Sequence, residues 1–314
     1  MRKVSSKVLR LPPAIYMILV LSLYFGFTTT GFFDVSNLTN ILNQSATLLL
    51  LACGQTIIVL LQGTDLSLGY QISVVSVLWI FLLNAGVPMV PAILLAIIAG
   101  VIMGLVNGFF VAKLQIPIFI VTLATSNIFK SIALLVSDGN TLYYSSDIYA
   151  AVAKTNYLGL PLSTWIAFAG FFLTLFLLRK TTLGIRIRAL GGNAEALRLA
   201  GTNTNINIIK AFAYCGFMAG ISGFVLACRV ASGNPLGGEG YEFNAVAAVL
   251  LGGSSMREGN GGVGGTLFGV WMLQLFRNGL NIAGVSSLYQ NFLIGAIVIV
   301  ALIIDALIKK RQEI

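Results

Sequence analysis

Long apolar runs alternate with short polar interruptions along nearly the whole chain, and proline, glycine or charge marks most of the interruptions. A helix that crosses a bilayer needs about 20 mostly apolar residues. On that scale the pattern predicts spans at 13–30, 41–61, 67–84, 88–112, 116–136, 163–178, 206–230, 242–254, 263–282 and 286–308. The runs are continuous and lack strict alternation, which favours helices over a β-barrel. The run 242–254 is short, and a re-entrant or half helix is the alternative there. Ala14–Phe27 follows Arg2, Lys3, Lys7 and Arg10 in the manner of a signal peptide. Thr28-Thr29-Thr30-Gly31-Phe32 is a poor cleavage site, so the stretch is read as the first span. The expectation is an all-α integral membrane protein of about ten helices. Residues 1–314 form one transmembrane domain, with a cytoplasmic segment at 179–205 and an outer loop at 137–162.

The segment 179–201 is a polar, basic island holding Arg179, Lys180, Arg186, Arg188 and Arg198. It contains the signals of a short capped helix over Ala194–Ala200. Asn193 is a good N-cap, Glu195 lies in the first turn where the helix dipole favours a carboxylate, and Gly201 stands at the C′ position. Two turns of helix do not persist alone in water, so the rest of the protein must hold them. A short helix held at the inner face is what a docking site for a cytoplasmic partner looks like.

Charge tests the span count. With both termini inside, fifteen of the nineteen basic residues fall on the inner side: Arg2, Lys3, Lys7, Arg10, Lys113, Arg179, Lys180, Arg186, Arg188, Arg198, Lys210, Arg257, Lys309, Lys310 and Arg311. Asp34, Asp138, Asp147, Glu239 and Glu242 fall outside. One span more or fewer before Arg179 would spoil this asymmetry. The net charge of +9 is therefore accounted for by loops and tails rather than by nucleic acid. The halves 1–157 and 158–314 would hold five spans each, which suggests an inverted 5+5 repeat.

Composition narrows the chemistry further. The chain has no histidine, the commonest metal ligand and general base, and this counts against an embedded metalloenzyme. Cys53, Cys215 and Cys228 read as small packing residues. Glycines at four-residue spacing (Gly100, Gly104, Gly108; Gly216, Gly220; Gly265, Gly269) predict closely packed helix faces. Polar side chains inside the spans must find partners or line a wet path. Gln55, Asn107, Asn127, Asn244, Gln274 and Asn278, with Gln44 and Thr122, are neutral hydrogen-bonding groups that suit a polyhydroxylated solute better than an ion. Asp65 and Ser67, in Gly63-Thr64-Asp65-Leu66-Ser67-Leu68-Gly69, lie between two spans. A cap or turn role for Asp65 weighs more than ion coupling. Lys130, Arg229, Arg277 and Asp305 sit near span ends, where snorkelling is cheap. The glycine-rich stretch 252–265 lacks the Gly-Lys-Ser/Thr of a phosphate loop and reads as an inner turn between packed helices.

Taken in order, several motifs together closely resemble the permease subunits of ribose-type bacterial ABC importers. They are Gly63–Gly69, Ala189-Leu190-Gly191-Gly192-Asn193-Ala194-Glu195-Ala196 with Gly201, Ala247–Ser255 with the glycine run after it, Asn278-Gly279-Leu280-Asn281, and Tyr289-Gln290. The resemblance covers nearly the whole chain and implies a permease in the bacterial inner membrane. Such a subunit works as a homo- or heterodimer, moves a monosaccharide inward, and is fed by an extracytoplasmic sugar-binding protein. It binds no cofactor itself; a separate cytoplasmic ATPase uses the ATP. Gly191, Gly192, Asn193, Glu195, Ala196 and Gly201 match the family's coupling segment. Asp65, Ser67, Gln55, Asn107, Asn127, Asn244, Gln274 and Asn278 are the candidates for the path or gate. The chain departs from the family at Tyr70-Gln71, at Met256-Arg257-Glu258 and at Arg277. The rival reading is an ATP-independent carrier for a small polar solute.

Overall fold

A computed structural model describes residues 12–256 and 258–312. Arg2, Lys3, Lys7, Arg10 and Arg257 lie outside the described residues, as do the side chains of Asp305, Lys309, Lys310 and Arg311. In chain order the elements are α1 (Pro13–Thr28), α2 (Val35–Leu60), α3 (Leu68–Asn84), α4 (Met89–Lys113), α5 (Ile118–Val136), α6 (Ile148–Ala153), β1 (Asn156–Tyr157) and β2 (Leu160–Pro161). There follow α7 (Leu162–Lys180), α8 (Thr182–Leu199), α9 (Thr204–Val230), α10 (Tyr241–Leu251), α11 (Val263–Ile282) and α12 (Ser287–Gln312). Each of the ten apolar runs is a helix. Four of these helices start directly behind a proline: Pro12, Pro88, Pro117 and Pro161. The ring fixes φ and the missing N–H removes a donor that would have no intrahelical partner.

Burial sorts the helices into an inner and an outer set. The apolar stretches of α2 and α9 are 83% and 78% buried, against 28% for α4, 33% for α5 and 39% for α7. The outer helices turn Leu94, Ile98, Ile102, Ile120, Phe172 and Phe176 outward. Five helices (α2, α4, α5, α7 and α9) are long and apolar enough to cross a membrane, and α1, α3, α10 and α12 add shorter apolar stretches. Such outward faces suit lipid, since nothing apolar need be hidden from it. The predicted glycine faces are where the closest packing occurs. A Cβ on Gly100 would sit 2.6 Å from the Gly216 carbonyl oxygen, so α4 and α9 touch backbone to backbone. Gly265 and Gly269 of α11 meet Gly252 and Ala248 at the end of α10 in the same way. The three cysteines are buried and unbridged.

Two features add to the sequence reading. The loop 137–162 carries structure of its own: Tyr149 of α6 packs edge-on to Trp79 with ring centroids 5.9 Å apart, and β1 and β2 pair antiparallel. A six-residue helix and two-residue strands are too short to leave a periodic signal. The second concerns the short run 242–254, where the half-helix alternative is the one found. The backbone of Gly233 exchanges hydrogen bonds with Leu142 of that loop, both 2.9 Å. Five residues on, the Gly238 N–H donates to Ser73 Oγ at 2.9 Å and the Gly238 backbone lies against Gly69. The connection therefore descends alongside α3 from Val77 to Gly69, roughly 12 Å at 1.5 Å per helical residue. Helix α10 starts at that depth and has 11 residues. It is a half helix, beginning inside the bundle.

Candidate functional site

The basic island is held at three points. Gly191 is buried with its Cα against the Leu60 carbonyl at the end of α2, and the Gln62 amide donates to the Gly191 carbonyl at 2.8 Å. Arg188 donates to the Gly261 carbonyl at 2.9 Å, and Gly259 packs on Gly191. Thr181 accepts from the Gly184 N–H at 3.2 Å and so caps the start of α8. Helix α8 breaks once, at Asn193 (φ −159°, ψ 96°). There the side-chain Oδ1 accepts from the Ala196 N–H at 2.9 Å, restarting the helix as a capped final segment. Glu195 pairs with Arg198 at 2.7 Å on its exposed face. At the far end the Gly201 N–H reaches the Arg198 carbonyl at 3.0 Å and the Thr202 N–H reaches the Leu197 carbonyl at 3.2 Å. With Gly201 at φ +78° this is a Schellman closure. The expected capped helix is present, ending at Leu199. The six island candidates divide: Gly191 is an internal anchor, while Gly192, Asn193, Glu195, Ala196 and Gly201 project into the open. The island also includes a first helical segment, 182–192, that the sequence reading did not assign.

Asp65, Ser67 and Asn107 meet, and Gln71 joins them. Asp65 Oδ1 accepts from the Ser67 N–H (2.9 Å) and hydroxyl (2.6 Å), closing the turn that leads into α3. The Gln71 and Asn107 amides both donate to Ser67 Oγ at 2.8 Å. All four side chains are fully buried. This is the turn role expected for Asp65, extended into a knot that ties α3 to α4. Gln55 is buried elsewhere along α2, and neither of its amide atoms has a partner among the described residues. Asn127 is exposed on α5, donating to the Leu123 carbonyl at 3.1 Å. Asn278 exchanges amide hydrogen bonds of 3.0 and 2.8 Å with Asn37.

Asn244 and Gln274 line open space, and the arginines lie beside them. A recess of about 670 Å³ between α10, α11 and α12 shares Tyr241 and Arg277 with a neighbouring one of about 380 Å³ against α2 and Lys154. Tyr241 and Asn244 share one face of α10 at three-residue spacing, as Gln274 and Arg277 do on α11. The reading of Arg229 and Arg277 as snorkelling side chains is corrected here. Arg229 turns inward and donates to the Gln44 carbonyl (3.0 Å) and the Tyr241 hydroxyl (2.9 Å). Arg277 faces the recess, 3.4 Å from Asn291 Oδ1. Lys130 lies 5.3 Å from the centre of the Tyr70 ring, a cation–π contact. Glu242, expected on the outer side, is 5% exposed and packed against Gly69, because α10 starts inside the bundle. Position near a span end gives no direction for a long side chain, so only the three-dimensional fold brings these groups together.

Such a recess, where amides, a phenol and guanidinium groups stand beside Phe243, Ala247, Ile294 and Val298, can hold a small solute with polar and apolar faces without covalent chemistry. The comparisons with known proteins agree with a transport role. Residues 37–302 match the family described as branched-chain amino acid transport system / permease component. The chain is 34% identical to the ribose import permease of Escherichia coli K12 over 292 residues, 92% of this chain and 91% of that protein. It is 34% identical to the ribose import permease of Bacillus subtilis over 277 residues, 88% of this chain and 86% of that one. The D-allose transport system permease of Escherichia coli K12 is 30% identical over 293 residues, 93% and 90% of the two chains. No solved structure matches significantly. With the apolar bundle, the projecting island helix and the polar recess in place, the chain belongs to this permease family and is a multi-pass membrane protein.

Proposed function

We propose that the chain is the membrane subunit of an ATP-driven importer that moves a monosaccharide, a ribose-like pentose or a related sugar, into a bacterial cell across the inner membrane. A separate cytoplasmic ATPase engages Gly192, Asn193, Glu195, Ala196 and Gly201, and a second permease subunit completes the path. ATP is used by that partner, and this chain binds no cofactor. The observation that carries the reading is the construction of the island helix: rigidly closed at both ends, anchored through Gly191 to the end of α2, and otherwise exposed. Movement of that helix would be transmitted directly into α2, whose apolar stretch is the most buried among the five long apolar helices. The bound solute alone cannot drive such a change unless it favours one state, so the nucleotide cycle supplies the free energy.

Ten spans with both termini cytoplasmic fit the polarity of the bundle. Lys113, Arg179, Lys180, Arg186, Arg188, Arg198 and Lys210 gather at the island end, and Asp34, Asp138 and Asp147 at the other. An inverted repeat of five and five finds support in packing: α9 lies on α3 and α4, and α2 correspondingly on α10 and α11. The loop 137–162 is the docking surface for the sugar-binding protein, with Leu158 at the hairpin tip and Tyr143 strongly exposed. The test is uptake of labelled monosaccharides, neutral (D-ribose) and acidic (D-galacturonate), by cells that express the whole system, with and without the ATPase. Uptake that stops without the ATPase supports the proposal; uptake that persists supports an ATP-independent carrier.

A further inference from the structure

The recess is asymmetric in charge. Lys154, Arg229 and Arg277 line it, with Glu239 as the acidic lining residue among those described. Glu239 forms no ion pair among the described residues. Arg229 is engaged by a carbonyl and a phenol. Arg277 has no carboxylate within ion-pairing distance among the described residues, and its one hydrogen bond is the long contact to Asn291. Three residues before it, Gln274 is 6% exposed, lines the recess and has no hydrogen-bond partner among the described residues. The polar ends of both side chains reach the recess, and neither is engaged by the protein as Arg229 is. The two lie three residues apart on one helix face, so one ligand can meet both. The first residues of the half helix α10 also line the recess, and Glu242 in its first turn, buried against Gly69, meets the positive end of the helix dipole.

We propose that this recess is a solute subsite for a monosaccharide bearing a carboxylate, in which Arg277 and Gln274 recognise the carboxylate and Asn244 and Tyr241 meet the ring hydroxyls. The guanidinium fork matches a carboxylate with two parallel N–H bonds. A neutral sugar would leave the excess positive charge of the recess uncompensated. The inference rests on the reading of the chain as a sugar permease, and it names the cargo class of that same site.

The test compares two sugars that differ at one carbon, D-galacturonate and D-galactose, by saturation-transfer NMR on the full-length permease in lipid nanodiscs. No binding protein is present, so the signal reports this chain alone. D-galacturonate is expected to bind at least tenfold more tightly than D-galactose. Arg277→Gln should abolish that preference and Arg277→Lys should restore most of it, with unchanged elution on size exclusion for both variants. Equal affinity for the two sugars, a preference that survives R277Q, or no binding of either sugar would overturn the inference. Co-purification of an ATPase with the same preparation tests the permease reading separately, so failure of the charge selection alone leaves that reading standing.

Discussion

Without the Ser67 hydroxyl, the Asn107 and Gln71 amides would each lose the acceptor 2.8 Å away, in a place no water reaches. Each stranded buried group costs about 1–3 kcal/mol. Ser67→Ala is therefore expected to lower the thermal midpoint of the solubilised protein, while Asn127→Ala, on the exposed face of α5, leaves it unchanged; equal effects would contradict the buried knot. A single residue also decides each end of the island helix. Asn193→Ala removes the acceptor of the Ala196 N–H and should cost about 1 kcal/mol of local helix stability. Gly201→Val puts a branched side chain at φ +78°, a conformation that such residues rarely adopt. Both variants, and Glu195→Lys, are expected to abolish uptake at normal membrane insertion, measured by labelled-sugar uptake beside a quantitative membrane blot. Normal uptake at normal expression would remove the coupling role from this helix.

Between elements, the contact of α4 with α9 depends on the absence of side chains at Gly100 and Gly216. Gly216→Val must separate the two helices or break the contact, an overpacking cost of about 1–3 kcal/mol. Gly264, in the first turn of α11, has open space around it. Gly264→Ala should be neutral or slightly stabilising, because alanine is the better helix former. Thermal unfolding of both variants checks the pair. These contacts show what a sequence can and cannot disclose. Apolar run length and glycine spacing are local signals, so all ten runs became helices and the glycine faces met as expected. The caps of the island helix were legible for the same reason, since Asn193 and Gly201 act within four residues of themselves. Arg229 and Arg277 were not legible as recess residues, because their partners lie on other helices; Arg229 bonds to Gln44, 185 positions away. The first island segment, 182–192, was missed because its cations hide a helical pattern that tertiary contacts at Gly184 and Gly191 stabilise.

At the scale of the molecule, a buried inner set of helices connects two surfaces of opposite character. One end gathers cations around an exposed, closed helix; the other carries the built loop 137–162 and the mouth of the polar recess. The half helix α10 lies between them, starting deep in the bundle and lining the recess with its first turns. A device of this shape has no chemistry of its own to drive movement. Its function depends on what binds the island end. The most direct measurement is affinity capture of the tagged, solubilised protein with its membrane partners, followed by mass spectrometry and an ATPase assay on the captured assembly. A co-purifying P-loop ATPase whose activity rises with a sugar-loaded binding protein, and whose capture is lost with Gly201→Val, is the predicted result. A protein captured alone and indifferent to nucleotide, under conditions where transport continues, would contradict the account.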